Sequence, residues 1–489
     1  MGVFNLSSSI NPNKVFLINR SEIEGRLEAE YYRPEINLLE KKIRKKTSKR
    51  LKNFIIKIAS GATPSVTEED KYYSDKESGI PFLRVQNLQT NGKLYLEDLK
   101  YINKETHEKY LKRSQVAAGD LLIKITGVGR MAIASVAPEG FIGNTNQHMV
   151  VVKTGSRKTS EYLSNYLNLD IVEKLATRRS TGATRPALDY PALKSIPIIE
   201  GIDFSILEKA EIQAEQKKNE SLLLLKSIDT FILKELGITL PEKENNITNR
   251  IFTTNYSQLT GSRLDPKLYD SITKNLIKAI ENSTYPKLKL KNLIVQSCAG
   301  DWGKDENEGA IEGYVKCLVV RATEFDNNGN LNLDNSRVKF RLINQDKLKK
   351  IDVKENDLLI EKSGGSIDQP VGRIAILTKD YIKSNQLCYS NFIHKIRVDS
   401  EKVNPEYLFY FLKAIHNMKL TDAMQSQTNG IRNLIMRNYF NQFIVLPTPK
   451  KQSEIVNHIE KLREKASLLQ LEGKNILDFA KRKIQNQLI

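Results

Sequence analysis

The two halves of the chain carry the same motifs in the same order, and no other feature of the sequence constrains its fold as much. Arg26-Leu27-Glu28-Ala29-Glu30-Tyr31-Tyr32 has a counterpart in Arg263-Leu264-Asp265-Pro266-Lys267-Leu268-Tyr269, 237 positions later (263 − 26). Leu51-Lys52-Asn53-Phe54-Ile55-Ile56 parallels Leu290-Lys291-Asn292-Leu293-Ile294-Val295, and Ala59-Ser60-Gly61 falls in step with Cys298-Ala299-Gly300. Leu83-Arg84-Val85 matches Val320-Arg321-Ala322, Asp120-Leu121-Leu122-Ile123 returns as Asp357-Leu358-Leu359-Ile360, and Gly129-Arg130 returns as Gly372-Arg373. Further on, Asn146-Gln147 meets Asn385-Gln386, Gly182 to Arg185 meets Gly430-Ile431-Arg432, and Ser195-Ile196-Pro197 meets Val445-Leu446-Pro447. A period this long implies an internal duplication into two tandem domains, not a solenoid. At 489 residues the chain is also longer than one hydrophobic core usually serves.

Each half is expected to be α+β. Short β-branched and aromatic runs such as Val150-Val151-Val152 and Phe392 to Ile396 suit strands, and helices are expected over Ser160 to Ala176 and Pro405 to Met418. Asn91-Gly92 and Asn328-Gly329, flanked by apolar residues, predict β-hairpin tips. A helix is expected from about Ser21 to Lys46. Two long helices close the halves. In the last segment Ile455, Ile459, Leu462, Ala466, Leu469, Gly473, Ile476 and Ala480 alternate spacings of four and three, which lays one narrow apolar seam along a helix. Such a seam needs a partner. Ser205 to Leu236 supplies it through Leu207, Ala214, Ser221, Leu225, Ile228 and Ile232, opening on a Ser205-x-x-Glu208 capping box and stopping at Gly237. The expected divisions are an N-terminal helical segment (1–46), a first domain (47–200), a long helix (201–240), a linker with the repeated helical segment (241–282), a second domain (283–447) and a second long helix (448–489).

Composition narrows the function. Lys and Arg total 76 against 58 Asp and Glu, a formal charge of +18 that favours a polyanionic partner, nucleic acid first. Three widely spaced cysteines without a C-x-x-C pair suit reduced thiols, the five histidines share no metal-ligand spacing, and no apolar run is long enough to span a bilayer, so a cytoplasmic protein is expected. Catalytic signatures are weak. Asn404-Pro405-Glu406-Tyr407 lacks the second proline of an adenine-methyltransferase element, and Asp357 with Glu361-Lys362 resembles a nuclease set that the first half does not repeat.

The candidate DNA contacts lie in matched loops. Lys124, Thr126 and Arg130 surround the glycine turn Gly127-Val128-Gly129, and Lys362, Ser363 and Arg373 frame its longer counterpart; Thr63 joins the first set. Arg178, Arg179, Thr181 and Arg185 in one half, and Gln425, Gln427, Asn429 and Arg432 in the other, combine the side chains that read base edges around a glycine. Arg84, Arg130 and Arg185 recur as Arg321, Arg373 and Arg432, which suits phosphate contact or scaffold pairing; residues that differ between the loops suit base specification. The stretch Lys41 to Lys52, with eight positive charges in twelve positions, is either a solvated run or a phosphate-contacting rim.

Ile444-Val445-Leu446-Pro447-Thr448-Pro449-Lys450-Lys451-Gln452-Ser453-Glu454-Ile455, a short strand with prolines and then a Gln and an Ile entering the long helix, resembles the DNA specificity subunit of Type I restriction-modification systems. The first copy departs from it, because Ile196-Pro197 lacks the second proline. The resemblance implies a non-catalytic subunit with two target-recognition domains and two antiparallel spacer helices, reading a bipartite target in double-stranded DNA. It further implies assembly with two methyltransferase subunits, which bind S-adenosylmethionine, and two ATP- and Mg-dependent translocase-nuclease (restriction) subunits, with no cofactor in this chain. A self-sufficient nuclease or methyltransferase and a sequence-indifferent nucleic-acid adaptor are the alternatives.

Overall fold

In the computed structural model, residues 6–489 are described except for 8–9, 12–13, 24–25, 183, 241–250, 252, 254, 256–268, 310, 336, 367–368, 385 and 429. The counterpart motif Arg263 to Leu268, the linker Pro241 to Arg250, Asn385 and Asn429 therefore lie outside the described residues. The chain forms two units, 1–217 with 471–489, and 218–470. These divisions cut across both long helices, in contrast to a linear series of domains. Each unit thus contains part of each long helix.

In the first unit the central sheet runs in the order β1 (Lys57–Ser60), β8 (Met149–Lys153), β5 (Leu121–Lys124), β6 (Ala134–Val136). A second sheet has the order β3 (Lys100–Ile102), β2 (Ile80–Leu83), β7 (Ile142–Thr145), β4 (Gln115–Ala117), with β2 and β7 parallel. The runs Leu121-Leu122-Ile123 and Val150-Val151-Val152 do not alternate with polar residues because both faces of their strands are covered. Leu121, Ile123, Val150 and Val152 join one core cluster, whereas Leu122, Met149 and Val151 join another.

In the second unit β10 (Ile294–Ala299), β18 (Ile393–Val398), β14 (Leu358–Glu361) and β16 (Ile374–Ile376) repeat the first sheet's order and pairing directions. The second sheet, β11 (Lys304–Asp305), β13 (Lys339–Asn344), β12 (Tyr314–Val320), β17 (Leu387–Tyr389), again contains one parallel pair, β12 with β17. The matched Gly61 and Gly300 have a common physical reason. A Cβ on Gly61 would lie 1.6 Å from the carbonyl oxygen of Thr145 at the end of β7, and one on Gly300 would lie 2.1 Å from that of Tyr389 at the end of β17.

The long helices span Ser205–Glu235 and Pro449–Leu488, about 46 and 60 Å at ~1.5 Å per residue. The seam positions Ile455, Ile459, Ala466, Leu469 and Ala480 are buried, and burial continues to Ile484 and Leu488. In the first unit Lys217 pairs with Glu472, and a Cβ on Gly473 would lie 3.3 Å from the Ala214 carbonyl oxygen, so the glycine marks close helix approach. In the second unit Gln470 donates to the Ser221 hydroxyl at 3.0 Å, Phe231 stacks on His458, and Lys451 pairs with Glu235. Within that unit the partners step back along the terminal helix as the first helix advances, so the segments run antiparallel. The first helix starts under the carboxylate of Asp203, which accepts both the N–H and the hydroxyl of Ser205, in place of the expected capping box. It ends as expected at Gly237 (φ 64°), where the Ile238 N–H reaches the Leu233 carbonyl.

Three local expectations change. The segment before Lys46 is not one helix: short 3₁₀ turns at Arg20–Glu22 and Ala29–Tyr32 precede α1 (Pro34–Lys46). Pro34 explains the break, since it suits the first helical position and forces Arg33 into an extended conformation (ψ 127°). The Asn-Gly sequences are not two-residue hairpin tips. Only the glycines, Gly92 and Gly329, have positive φ, and each closes a turn flanked by a single bridge, Leu88 to Leu94 or Phe325 to Leu331. The helix expected over Ser160 to Ala176 is divided into α2 (Arg157–Leu167) and α3 (Asp170–Arg179).

Arg178 and Arg179, expected to read bases, lie instead at the buried end of α3. Glu40 of α1 accepts from Arg178 Nη1 at 2.6 Å and Arg179 Nη2 at 2.5 Å, and also pairs with Arg44. The Arg178 guanidinium stacks over Tyr31, while Arg26 caps the Arg179 and Ser180 carbonyls. Burial pushes the Glu40 carboxyl up, but the charges of Arg179, Arg178 and Arg44 outweigh it and hold the group below its ordinary 4.5.

Two measurements check these packing arguments. Gly61→Ala and Gly300→Ala should each destabilise the protein by about 1–3 kcal/mol in urea denaturation; an unchanged midpoint would contradict the close approach. Glu40→Gln should cost about 3–5 kcal/mol near neutral pH by leaving two buried guanidiniums without their carboxylate. Because the folded pKa is depressed, this contribution is complete above about pH 4.5 and fades as pH falls through the lower folded value. The difference between wild type and variant should therefore shrink on acidification; a constant difference would show that charge is not its source.

Candidate nucleic-acid interface

The candidate surface of the first unit begins where β5 ends. The N–H groups of Ile125 and Thr126 both reach the His148 carbonyl, at 2.9 and 3.2 Å. Leu188 then donates to the Ile125 carbonyl, while Thr126 and Thr181 bridge to Ala187. Three connections, 124–130, 145–148 and 180–188, are thereby fixed side by side. Thr63 is tied to them through Gln147, whose side-chain oxygen accepts the threonine hydroxyl at 2.5 Å. The outward groups are Thr63, Gln147, Val128, Gly129, Thr181 and Arg185.

Arg185 donates to His148 Nε2 at 3.0 Å, which requires an unprotonated ring nitrogen. Burial, then the charge of Arg185, lowers the histidine's pKa, so His148 presents a neutral ring. Lys124 is buried beneath the glycine turn with its ammonium on the Val128 carbonyl at 2.8 Å, and burial lowers its pKa. It supports the turn from below.

The second unit follows the same path with more regular pairing. Lys362 and Ser363 both donate to the Phe392 carbonyl, and Leu434 donates to the Lys362 carbonyl. Here the bridges extend into a three-stranded sheet, β15 (Ser363–Gly364), β20 (Ile431–Leu434) and β19 (Gln425–Thr428). Ser363 faces Asn433 and Ser426 faces Asn433, as Thr126 and Thr181 both face Ala187. The Ser363 hydroxyl also reaches Asn433 Oδ1 at 2.7 Å.

This backbone pairing corrects the sequence match between the reading loops. With Thr126 equivalent to Ser363, Thr181 corresponds to Ser426 and Pro186 to Arg432, so Arg185 and Arg432 are not structural equivalents. Gln425 is buried, with its amide on Asp422 and the Val371 N–H on its oxygen, so it holds the foot of the hairpin and does not face outward. Gln427 lies on β19 opposite Arg432; its side chain, like Asn429, is outside the described residues. Arg432 is buried among the described residues, and its Nη1 has no partner.

Four of the six recurring arginines are occupied by carboxylates. Arg84 meets Asp98, Arg321 meets Glu324, Arg130 meets Asp170, and Arg373 grips the buried Glu361 through two bonds of 2.8 and 2.9 Å. Other polar side chains also serve the framework. Asp357 holds Lys395 and Arg397, Asp120 holds Lys153, and the Asn404 side chain caps α5 (Pro405–Asn417) through the N–H groups of Glu406 and Tyr407. Among the described residues no group of His, Cys, Asp or Glu could hold a metal ion. Short polar side chains on pinned loops can exchange hydrogen bonds with a macromolecular ligand. Gln147 and His148 belong to this surface but were not picked out from sequence; the Asn-Gln repeat that contains Gln147 carried the available signal.

The profile described as "Type I restriction modification DNA specificity domain" matches residues 44–200 and again 306–476. The chain is 21 % identical over 406 residues to the Type I restriction enzyme EcoKI specificity subunit of Escherichia coli (strain K12), covering 82 % of this chain and 79 % of that protein. Among solved structures, a chain from a study of complex assembly and conformational transition in the type I R-M system has 14 % identity and a TM-score of 0.44, over 90 % of this chain and 95 % of that one. The Type-I restriction-modification system S subunit from M. genitalium has 12 % identity and a TM-score of 0.36, over 91 % and 96 %. The two profile matches together cover most of the sequence, and the chain belongs to the Type I restriction-modification DNA specificity family, with recognition of DNA sequence as its role.

Proposed function

We propose that the chain is a duplicated, non-catalytic specificity subunit that reads a bipartite target in double-stranded DNA, one half-site per unit. The observation that carries this reading is the repeated loop support: both units use the same strand order and the same three-segment bridge pattern, but place different side chains on it. One scaffold with two faces suits an asymmetric target. The paired long helices act as the spacer, and their length sets the uncontacted gap between half-sites.

Their outer faces dock two methyltransferase subunits, which supply S-adenosylmethionine chemistry at adenine N6; two restriction subunits supply ATP- and Mg-dependent translocation and cleavage. Exposed Leu223, Leu468 and Phe479 on the helices support a protein-docking role. The +18 charge supports DNA as the ligand. No helix among the described residues is long and apolar enough to cross a membrane, which fits the cytoplasmic setting proposed for this assembly.

Mapping N6-methyladenine in DNA from cells expressing this chain with its methyltransferase partner should yield one split motif. DNA cleavage or methylation by the purified chain alone would overturn the non-catalytic role. Adding one heptad to each long helix should widen the gap by about 10 Å, or roughly three base pairs, without altering either half-site; altered half-sites would refute the spacer role. Gln427→Ala or Asn429→Ala should change the methylated sequence at one half-site only, whereas uniform loss of methylation would remove these residues from base recognition.

A further inference from the structure

Arg432 differs from the other arginines of the candidate surfaces. Arg84, Arg130, Arg321 and Arg373 meet carboxylates, and the buried Arg178 and Arg179 share Glu40. Arg432 is only 9 % exposed, and its Nη1 has no hydrogen-bond partner; the Nε of Arg84, Arg130 and Arg178 also lacks one, but each of those guanidiniums meets a carboxylate, whereas no ion pair among the described residues reaches Arg432. Removing a guanidinium from water without a counter-charge is costly, and arginine does not escape the cost by losing its proton. Among the described residues no acceptor reaches its Nη1, and a ligand could supply one.

The site is built into the second unit's three-stranded sheet. Arg432 sits in the central strand, opposite Gly364 on one side and Gln427 on the other, and the neighbouring Asn433 is fixed by Ser363. Pairing on both sides immobilises its backbone beside the hairpin that carries the candidate base-reading residues. A planar fork of N–H donors held in this way suits two adjacent acceptors in one plane. Guanine presents such a pair in the major groove as O6 and N7, and bidentate arginine contact to them is the commonest sequence-specific one. Phosphate oxygens share this chemistry, but they lie on the outside of the duplex and are served by exposed cations at a rim.

We infer that Arg432 specifies one guanine in the half-site read by the second unit. This rests on the proposed specificity role and adds a residue, a base and an asymmetry to it. The first unit has Pro186 at the equivalent position, with neither a side-chain cation nor an N–H donor, so this guanine requirement belongs to one half-site only.

The test uses the full chain expressed with its methyltransferase partner, comparing wild type with Arg432→Met and Arg432→Lys. N6-methyladenine mapping should show discrimination at one G·C position reduced roughly 5- to 150-fold by Arg432→Met, with the other half-site and the gap unchanged. Arg432→Lys should recover only part of it, because lysine lacks the planar fork. The melting temperature of purified Arg432→Met should be equal to or above that of wild type, since the variant loses an uncompensated buried charge. Uniformly weaker methylation of an unchanged motif would identify a phosphate contact and overturn the inference. So would a lower melting temperature, which would make Arg432 structural. Absence of a split motif with the wild-type chain would instead overturn the underlying specificity role, and the two failures are thereby distinguished.

Discussion

The rest of the structure depends on the close packing of the two long helices through small and short polar residues. Gly473 has no Cβ to hold the backbone of Ala214 away, and Ser221 accepts a hydrogen bond from Gln470 where a larger apolar residue would separate the helices. A narrow seam alone would leave long polar helices with little tertiary support. Their ends enter larger cores: Leu207, Ala210, Ala480, Ile484 and Leu488 join the first unit's core, while Ile228, Ile232, Ile455 and Ile459 join the second's. The largest core of each unit is therefore completed by residues from opposite halves of the sequence. That arrangement makes each unit dependent on segments of both long helices.

The family element at the start of the terminal helix has a comparable structural purpose. Gln452 is buried, with its amide on the Pro447 carbonyl and its oxygen on the Asn404 N–H. One side chain thus ties the strand leaving the domain, the long helix and the cap of α5 together. Prolines prevent the approach from continuing as helix, and the glutamine satisfies the polar groups exposed by that break.

The elements governed by local rules were legible in the sequence. The four-three apolar spacing anticipated the buried seam, Gly237 marked the end of the first helix, and the long-range repeat followed the common strand order. Residues governed by distant partners were less legible. Arg178 and Arg179 look like surface cations until Glu40, far away in sequence, is brought beneath them. Arg185 and Arg432 align by residue type, but the bridges set Arg432 against Pro186, because loop length differs between the copies. The buried guanidinium that lacks a carboxylate could not be told by sequence from those that have one, since no carboxylate stands next to any of these arginines in the sequence.

The Glu40 cluster also bears on how a chain with two similar halves sorts itself while folding. At the positions matching Glu40, Arg178 and Arg179, the second half has the exposed Ile277 and the buried Ala423 and Met424, which line one recess beside α4 (Ser271–Glu281) together with Glu281 and Gln442. If α1 were to settle on the second half, Glu40 would lose both of its buried arginine partners. The converse exchange would set Ile277 against two unpaired guanidiniums. The converse error carries the penalty of two uncompensated buried charges, whereas the correct pairing has none. The two copies share a strand order but not these side chains, so the arginine pair of the first half favours its own α1 over α4.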